Sequence, residues 1–389
     1  MRVAHVITRM IIGGAQENTL YNCRDLQEDF GDDVLLITGP AIGPEGDLLD
    51  GERGQGIATE YVPSMRRTIH PWRDWTSLGH IKRLLREFKP DVVHTHSAKG
   101  GILGRIAAHS LSVPAIVHTV HGAPFHPYQS ALARNAFQAC EKYAAKRCHA
   151  MIGVADAMTD LMVDANIAPR EKFTTIYSGM DVESFLESGV HREKVRKELG
   201  LANDDIAVGK IARLAPLKGH DSLITAAEEV LRENKRVKFI LVGDGQLQES
   251  LQRRIEQAGM SDAFHFIGLV SPTRIPELLS ALDMLVHTSL REGLARCLPQ
   301  SLLAGVPTIA FDVDGAREVV VSGETGELIP PLDTSGLAAA ILKLAGNAGL
   351  RGQLGQTGRD RCREQFDHHV MTRQIRKLYQ KVLGAANSS

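Results

Sequence analysis

Short, continuous runs of aliphatic and β-branched residues alternate with amphipathic helical stretches along this chain, and the scheme occurs twice. In the first half the runs fall at 3–8, 34–38, 92–95, 116–120 and 151–154, with helical patterns at 75–88, 101–110 and 131–148. In the second half they fall at 207–211, 239–242, 264–267, 284–287 and 308–311. A strand that is apolar at every position needs cover on both faces. Strands separated by helices run parallel. The expected fold is therefore α/β, with two Rossmann-like, doubly wound parallel-sheet domains. A length of 389 residues exceeds what one ordinary core organises and fits the same division.

The polar stretch 178–192 breaks the pattern and is the expected interdomain linker. Domains are expected at 1–185 and 186–368, followed by a terminal segment, 369–389, with a helix over 371–383. The net charge of −1 supplies no global field for nucleic acid, which is not an expected partner. Cys23, Cys140, Cys148, Cys297 and Cys362 show no metal-ligand spacing and read as free thiols of a reducing compartment. The first residues read as a strand with a Gly-Gly break rather than a signal peptide, and no run is long enough to span a membrane. A soluble, cytoplasmic protein is expected.

Ligands of doubly wound sheets bind beyond the carboxyl ends of the strands, so the loops there carry the chemistry. Gly13-Gly14-Ala15-Gln16 follows the first strand and opens a helix, where backbone N–H groups are available to phosphate oxygens. No GxGxxG triplet follows a first-half strand, and no acidic residue ends the second strand at Thr38. Gly243-Asp244-Gly245 lacks the third glycine, so a nicotinamide enzyme is disfavoured. His94 and His96 face one side of a strand, but no third ligand lies nearby in sequence and no metal site is expected. Such histidines more often hydrogen-bond to backbone or line a cleft, and Lys99 follows at the start of the next helix. His121 ends a strand before Gly122, where a neutral imidazole can orient a hydroxyl.

Arg213 and Lys218 follow an apolar strand and flank a helix start. A planar guanidinium fork and a compact ammonium together suit a diphosphate. Glu292-Gly293-Leu294 occupies another strand-to-helix turn, with Gln300 eight positions after the glutamate, and Gly268 ends the strand over 264–267. Carboxylate and amide groups of this kind hydrogen-bond sugar hydroxyls.

These motifs resemble the family 4 glycosyltransferases: the GGA loop, HTHSAKGG, TVHG, R-x4-K and a Glu-x7-Glu element whose second glutamate is Gln300 here. The resemblance covers nearly the whole chain. It implies the GT-B arrangement, two domains facing across a cleft, with the C-terminal helix crossing back onto the first. It implies a retaining enzyme that moves a sugar from a nucleoside-diphosphate sugar, UDP favoured over GDP, to a hydroxyl acceptor by front-face transfer without metal or other cofactor. The donor-binding residues implied are Gly13, Gly14, Ala15, Arg213, Lys218, Gly268, Glu292, Gly293, Leu294 and Gln300. His121, Arg213, Lys218 and Glu292 are the implied catalytic set, and His96 and Lys99 border the acceptor. Asp312-Val313-Asp314, which has the letters of a metal-binding DxD, reads as structural.

Trp72 and Trp75 lie among Arg66, Arg67, Arg73, Lys82, Arg83, Arg86 and Lys89. One reading is an anchor for anionic lipid, which suits relatives that glycosylate lipid-linked acceptors and polysaccharide precursors at the inner membrane face. The other, preferred on sequence, is an amphipathic helix whose aromatic residues pack inward. Two further functional readings stay open: a sugar-nucleotide epimerase or hydrolase, and a non-catalytic two-domain sugar-binding protein.

Overall fold

Seven strands form one parallel sheet in the order β3-β2-β1-β4-β5-β6-β7. They are β1 (Arg2–Arg9), β2 (Asp33–Gly39), β3 (Ala58–Tyr61), β4 (Val92–His96), β5 (Ala115–Val120), β6 (Ala150–Gly153) and β7 (Phe173–Thr175). A second parallel sheet has the order β10-β9-β8-β11-β12-β13. Its strands are β8 (Ile206–Ile211), β9 (Val237–Val242), β10 (Phe264–Gly268), β11 (Met284–His287), β12 (Thr308–Phe311) and β13 (Gly326–Ile329). The structure is a computed structural model, which describes residues 1–43, 46–50 and 54–386. The chain divides into two units, Met1–Met180 with Phe366–Ser389, and Asp181–Gln365.

Each sheet reverses its winding once, beside its first strand: between β1 and β4 in the first unit, and between β8 and β11 in the second. Crossovers diverge at such a point and leave an opening at the carboxyl ends of the two strands. The Gly13–Ala15, His96–Lys99, Arg213–Lys218 and Glu292 motifs fall on the loops at these two reversals, while His121 follows β5 and Gly268 ends β10.

In the first unit, alternate residues of β1 face opposite sides. Val3 and Ile7 enter a core with Leu20 and Leu26 of the helix Gly14–Glu28 and with Ile375, Leu378 and Tyr379 of the C-terminal helix. Val6 faces the helix Ala98–Ser110, which lies so close that a Cβ on Gly104 would stand 3.1 Å from that valine. The second unit is built around Val208, Phe239, Leu241, Val286 and Phe311, closed by Leu337, Ile341 and Leu344 of the helix Thr334–Ala345.

The terminal helix spans His368–Ala386, longer than the 371–383 expected, and belongs to the first unit. Met371, Thr372, Ile375, Leu378 and Tyr379 are its buried stripe, at the spacing of one helical face. Each large apolar member contributes about 1.5–3 kcal/mol by burial. Polar contacts fix the register. Arg376 forms two hydrogen bonds to Asp32 at 2.9 and 3.2 Å, and Asp25 accepts from His368 and Thr372.

The expected linker stretch holds the helix Val182–Leu186, capped by Asp181, and runs into the helix Arg192–Glu198. Helices this short show no period. Strands β3, β7 and β13 escaped the sequence reading because they are three or four residues long and only partly buried. One expectation is corrected, the inward packing of the tryptophans. In the helix Pro71–Phe88 the buried stripe is Ser77, Ile81, Leu84 and Leu85. At 3.6 residues per turn, Trp72 and Trp75 fall on the opposite side, and they are 67% and 65% exposed. They do not pack inward.

Candidate functional site

In the second unit the loop after β8 is pinned before its cations appear. Leu214 is fully buried, and its amide donates to the Asp244 carbonyl at 2.9 Å. Arg213, one residue earlier, stays exposed, and its carbonyl accepts from His220 at 3.0 Å. Leu217 and Gly219 both adopt positive φ, 67° and 66°. A Cβ at Gly219 would stand 1.8 Å from the Thr288 carbonyl oxygen, so only glycine allows the approach.

Three contacts then stitch this loop to the segment after β11. Thr288 Oγ1 donates to the Gly219 carbonyl at 2.6 Å, and the Leu290 amide donates to the Leu217 carbonyl at 2.8 Å. Lys218 Nζ donates to the Glu292 carboxylate. Burial works to raise the Glu292 carboxyl, but the Lys218 ammonium and its hydrogen bond outweigh it and hold the group below its usual value. Glu292 is further fixed by its amide, which donates to Asp314 at 2.6 Å. Asp312 takes two hydrogen bonds from Arg317, at 3.0 and 2.8 Å. Both carboxylates of the DxD-like triplet are thus engaged within the protein.

Gly293 is buried and Leu294 half-buried in the turn that follows, and Gln300 sits half-buried on the helix Cys297–Leu303. Gly268 ends β10 at positive φ, its carbonyl accepting from the Gly243 amide at 2.9 Å. Behind this surface lies a residue that sequence reasoning passed over. Lys210, on β8, is fully buried and donates to Thr288 Oγ1 at 2.7 Å. Burial lowers its pKa to about 7. The signal was present in the sequence, as a lone lysine inside the apolar run AVGKI.

The first unit carries the remaining expected residues. Gly13 precedes the helix Gly14–Glu28, and Gly13, Gly14 and Ala15 are all half-buried at that helix start. Lys99 is engaged by the Asp74 carboxylate at 2.6 Å and by the Thr68 carbonyl. His96 is fully buried, with His5 Nδ1 3.0 Å from its Nε2 and His121 Nε2 3.1 Å from its Nδ1. His121 is half-buried at the end of this row.

A third histidine does exist beside His94 and His96, which corrects the sequence reading. Parallel pairing sets His5 of β1 opposite His94 of β4, and nitrogens of His5, His94 and His96 lie within 4.8 Å of one another. Both nitrogens of His94 already have partners, Tyr379 at 2.5 Å and Thr119 at 2.7 Å, as do both of His96. A metal would have to break those bonds. Only His5 Nε2 is left without a partner among the described residues of this group. Burial drives His5 down to about 3 and lowers His94 and His96 well below the usual imidazole value, so these three rings are neutral.

The chemistry available is thus divided. The second unit offers an exposed guanidinium, an ammonium and a carboxylate at a sheet reversal. The first offers a helix start and an imidazole, His121, held at the end of a hydrogen-bonded row.

Comparison with known proteins gives this arrangement relatives. Residues 13–179 match the Glycosyl transferase 4-like domain, and residues 191–361 match the Glycosyl transferases group 1 model. The chain is 30% identical over 350 residues to the UDP-Gal:alpha-D-GlcNAc-diphosphoundecaprenol alpha-1,3-galactosyltransferase of Escherichia coli, covering 88% of each chain. It is 24% identical to the capsular polysaccharide biosynthesis glycosyltransferase CapM of Staphylococcus aureus, covering 83% of this chain and 85% of CapM. Among solved structures, Anabaena HepE in complex with UDP and glucose superposes with a TM-score of 0.83 at 22% identity, covering 98% and 99% of the two chains. Sucrose-phosphate synthase from Thermosynechococcus elongatus superposes with a TM-score of 0.84 at 18% identity, covering 99% and 100%. Both likenesses are of fold.

Proposed function

Because the chain belongs to the family 4 glycosyltransferases, with the GT-B fold, and is a hexosyl-type enzyme that draws on a nucleotide sugar, we propose that it transfers a hexose from a UDP-sugar, with retention, to a lipid-linked glycan. The observation that carries the reading is the Arg213–Lys218–Glu292 constellation at the β8/β11 reversal. A diphosphate leaving group gains charge as its glycosidic bond breaks, and preorganised cations stabilise it most where that charge develops. Arg213 and Lys218 fill that role without a metal ion. Glu292 receives a sugar hydroxyl once the diphosphate competes for Lys218.

In the first unit, the half-buried Gly13–Ala15 helix start meets phosphate oxygens, and His121 orients a hydroxyl of the transferred sugar. Both carboxylates of the DxD-like triplet are held by the protein, Asp312 by Arg317 and Asp314 by the Glu292 amide, which supports a structural part for them. Transfer is front-face: the departing phosphate helps take the acceptor proton. Gln300 faces the ribose as a neutral hydrogen-bonding group, which costs about 1–2 kcal/mol of donor affinity against a carboxylate.

The acceptor class comes from the Escherichia coli relative, whose name specifies a diphosphoundecaprenol-linked sugar. The exposed Trp72 and Trp75, with ring centroids 5.2 Å apart beside exposed Arg66, Arg67, Arg73, Arg83, Arg86 and Lys89, form a surface suited to an anionic bilayer. No helix among the described residues is long and apolar enough to cross a membrane. The enzyme therefore works at the inner membrane face by peripheral contact.

The deciding experiment is UDP release from a panel of UDP-hexoses, with chelator, in the presence and absence of GlcNAc-diphosphoundecaprenol. Release from one donor that rises with the lipid acceptor, with the label recovered in the lipid and its anomeric configuration kept, is the expected result. Turnover without transfer to any alcohol would replace this reading with hydrolysis or epimerisation.

A further inference from the structure

A lysine in the middle of a central strand is unusual, because a buried ammonium needs a counter-charge. Lys210 is wholly buried, yet its hydrogen bond goes to a neutral hydroxyl, Thr288 Oγ1, at 2.7 Å. That hydroxyl has one hydrogen, which it donates to the Gly219 carbonyl at 2.6 Å. Thr288 therefore accepts from Lys210, and the order of donation runs Lys210, Thr288, Gly219. Gly219 is bonded to Lys218. The chain of contacts thus ends beside the cation assigned above to the diphosphate.

On that reading of the donor site, we propose that Lys210 is a positioning residue of the diphosphate grip: from behind β8 it holds Thr288, through it Gly219 and Lys218, and it takes a proton from solvent when a nucleoside diphosphate binds.

The groups around it decide where such a proton goes. Lys218 and Glu292 face Lys210 from the loops after β8 and β11, His287 from β11, His220 from the helix His220–Glu233 and Cys297 from the helix Cys297–Leu303. Lys218 and Glu292 are paired and act on Lys210 in opposite directions, the ammonium lowering and the carboxylate raising its pKa. Burial holds His287 down to about 3 and His220 to about 4, while it pushes the Cys297 thiol up to about 12. None of those three changes charge near neutrality. Lys210, lowered by burial to about 7, is the group in this set placed to respond. A diphosphate brings negative charge near the buried amine of Lys210, where it favours the ammonium form. A charged Lys210 donates a stronger hydrogen bond to Thr288 and tightens the loop that presents Lys218. Binding and protonation therefore support each other.

Calorimetric titration with UDP at pH 8, in two buffers of different ionisation enthalpy, reads this directly. A terminal phosphate, with a second pKa of about 6, is already ionised there and neither takes nor gives a proton. The wild type is expected to take up about half a proton or more per UDP bound. Lys210→Met, which keeps length and volume in an apolar strand, abolishes the uptake and weakens UDP binding about tenfold at pH 7. Thr288→Val keeps the uptake but weakens binding several-fold, because Gly219 loses its anchor. Binding by the wild type with no proton uptake, or equal uptake by Lys210→Met, overturns the proton coupling and leaves the donor site standing. Unchanged UDP affinity in Thr288→Val overturns the positioning. Failure of the wild type to bind UDP at all removes the donor-site reading and this proposal together. The wild-type and Thr288→Val measurements decide the matter even if Lys210→Met does not fold.

Discussion

Lys218 donates its ammonium hydrogen bond to the carboxylate of Glu292, 74 residues further along the chain, across the reversal of the second sheet. The pair is partly buried and joined to two backbone contacts, Thr288 to Gly219 and Leu290 to Leu217. The carboxylate neutralises the ammonium. A diphosphate has to displace Glu292 from Lys218, which frees the carboxylate for a second partner. The two residues are therefore expected to differ in kind when removed. Lys218→Ala and Arg213→Ala lower kcat/KM more than tenfold, a loss above roughly 1.4 kcal/mol of transition-state stabilisation. Glu292→Gln leaves Lys218 uncompensated, so UDP binds several-fold tighter while kcat falls. Steady-state kinetics with UDP-affinity measurements check the split. Weaker UDP binding in Glu292→Gln would contradict the competition.

His96 acts on His121 from behind. It is fully buried and sits between His5 and His121, within 3.0 and 3.1 Å. His5 and His96 are neutral, and in a neutral imidazole one nitrogen donates and the other accepts, so the proton position on His96 sets what it offers His121. His96→Ala takes its partner from Nδ1 of the buried His5, at a cost of about 1–3 kcal/mol of stability. It also releases the ring of His121. The expected result is a lower Tm together with a fall in kcat at nearly unchanged donor KM. A fall in Tm with normal kcat would confine His96 to packing.

The exposed tryptophans predict a measurable membrane affinity. Wild-type protein is expected to co-sediment with vesicles of phosphatidylcholine and phosphatidylglycerol, and less with phosphatidylcholine alone. Each basic residue near an anionic surface contributes about 1 kcal/mol and is screened by salt. Trp72→Ser with Trp75→Ser should abolish the binding while leaving turnover of a short, water-soluble acceptor unchanged, since the two side chains face away from the core of their own helix. Equal sedimentation of the double variant would remove the bilayer from the reading.

The strands that place the site were legible because their runs are mostly aliphatic and β-branched without polar alternation: β1, β4, β8 and β11 are buried almost end to end. The loops they present were legible for the same reason, as Arg213, Lys218 and Glu292 stand where apolar runs stop. What depended on register was not. His5 is a third member of the histidine group only because parallel pairing sets it opposite His94. Lys210 was visible as an oddity in an apolar strand, but its meaning lies in Thr288, 78 residues away. The inward packing expected of Trp72 and Trp75 failed because aromatic residues beside a helical pattern do not reveal which side of the helix they take. That side was set by Ile81, Leu84 and Leu85.

The junction of the C-terminal helix with the helix Gly14–Glu28 carries a pH dependence whose sign can be worked out. His369 Nδ1 lies 2.7 Å from Asp29 and 3.9 Å from Asp25, and the neighbouring His368 lies 2.9 Å from Asp25. Burial disfavours the charged form of His369, but the hydrogen bond to Asp29 and the nearby carboxylates outweigh it, and its pKa is raised above the usual 6.5. The native state therefore binds more protons than the unfolded chain between 6.5 and the raised value. Stability falls with pH wherever the native state holds the extra proton. The contribution is fully present below 6.5 and lost as pH rises through the folded-state value. His369→Gln removes the titrating group and keeps a hydrogen-bond donor towards Asp29. Its Tm deficit relative to the wild type should be largest near pH 6 and shrink towards pH 8.5. A deficit constant across that range would show that His369 is held for its shape alone.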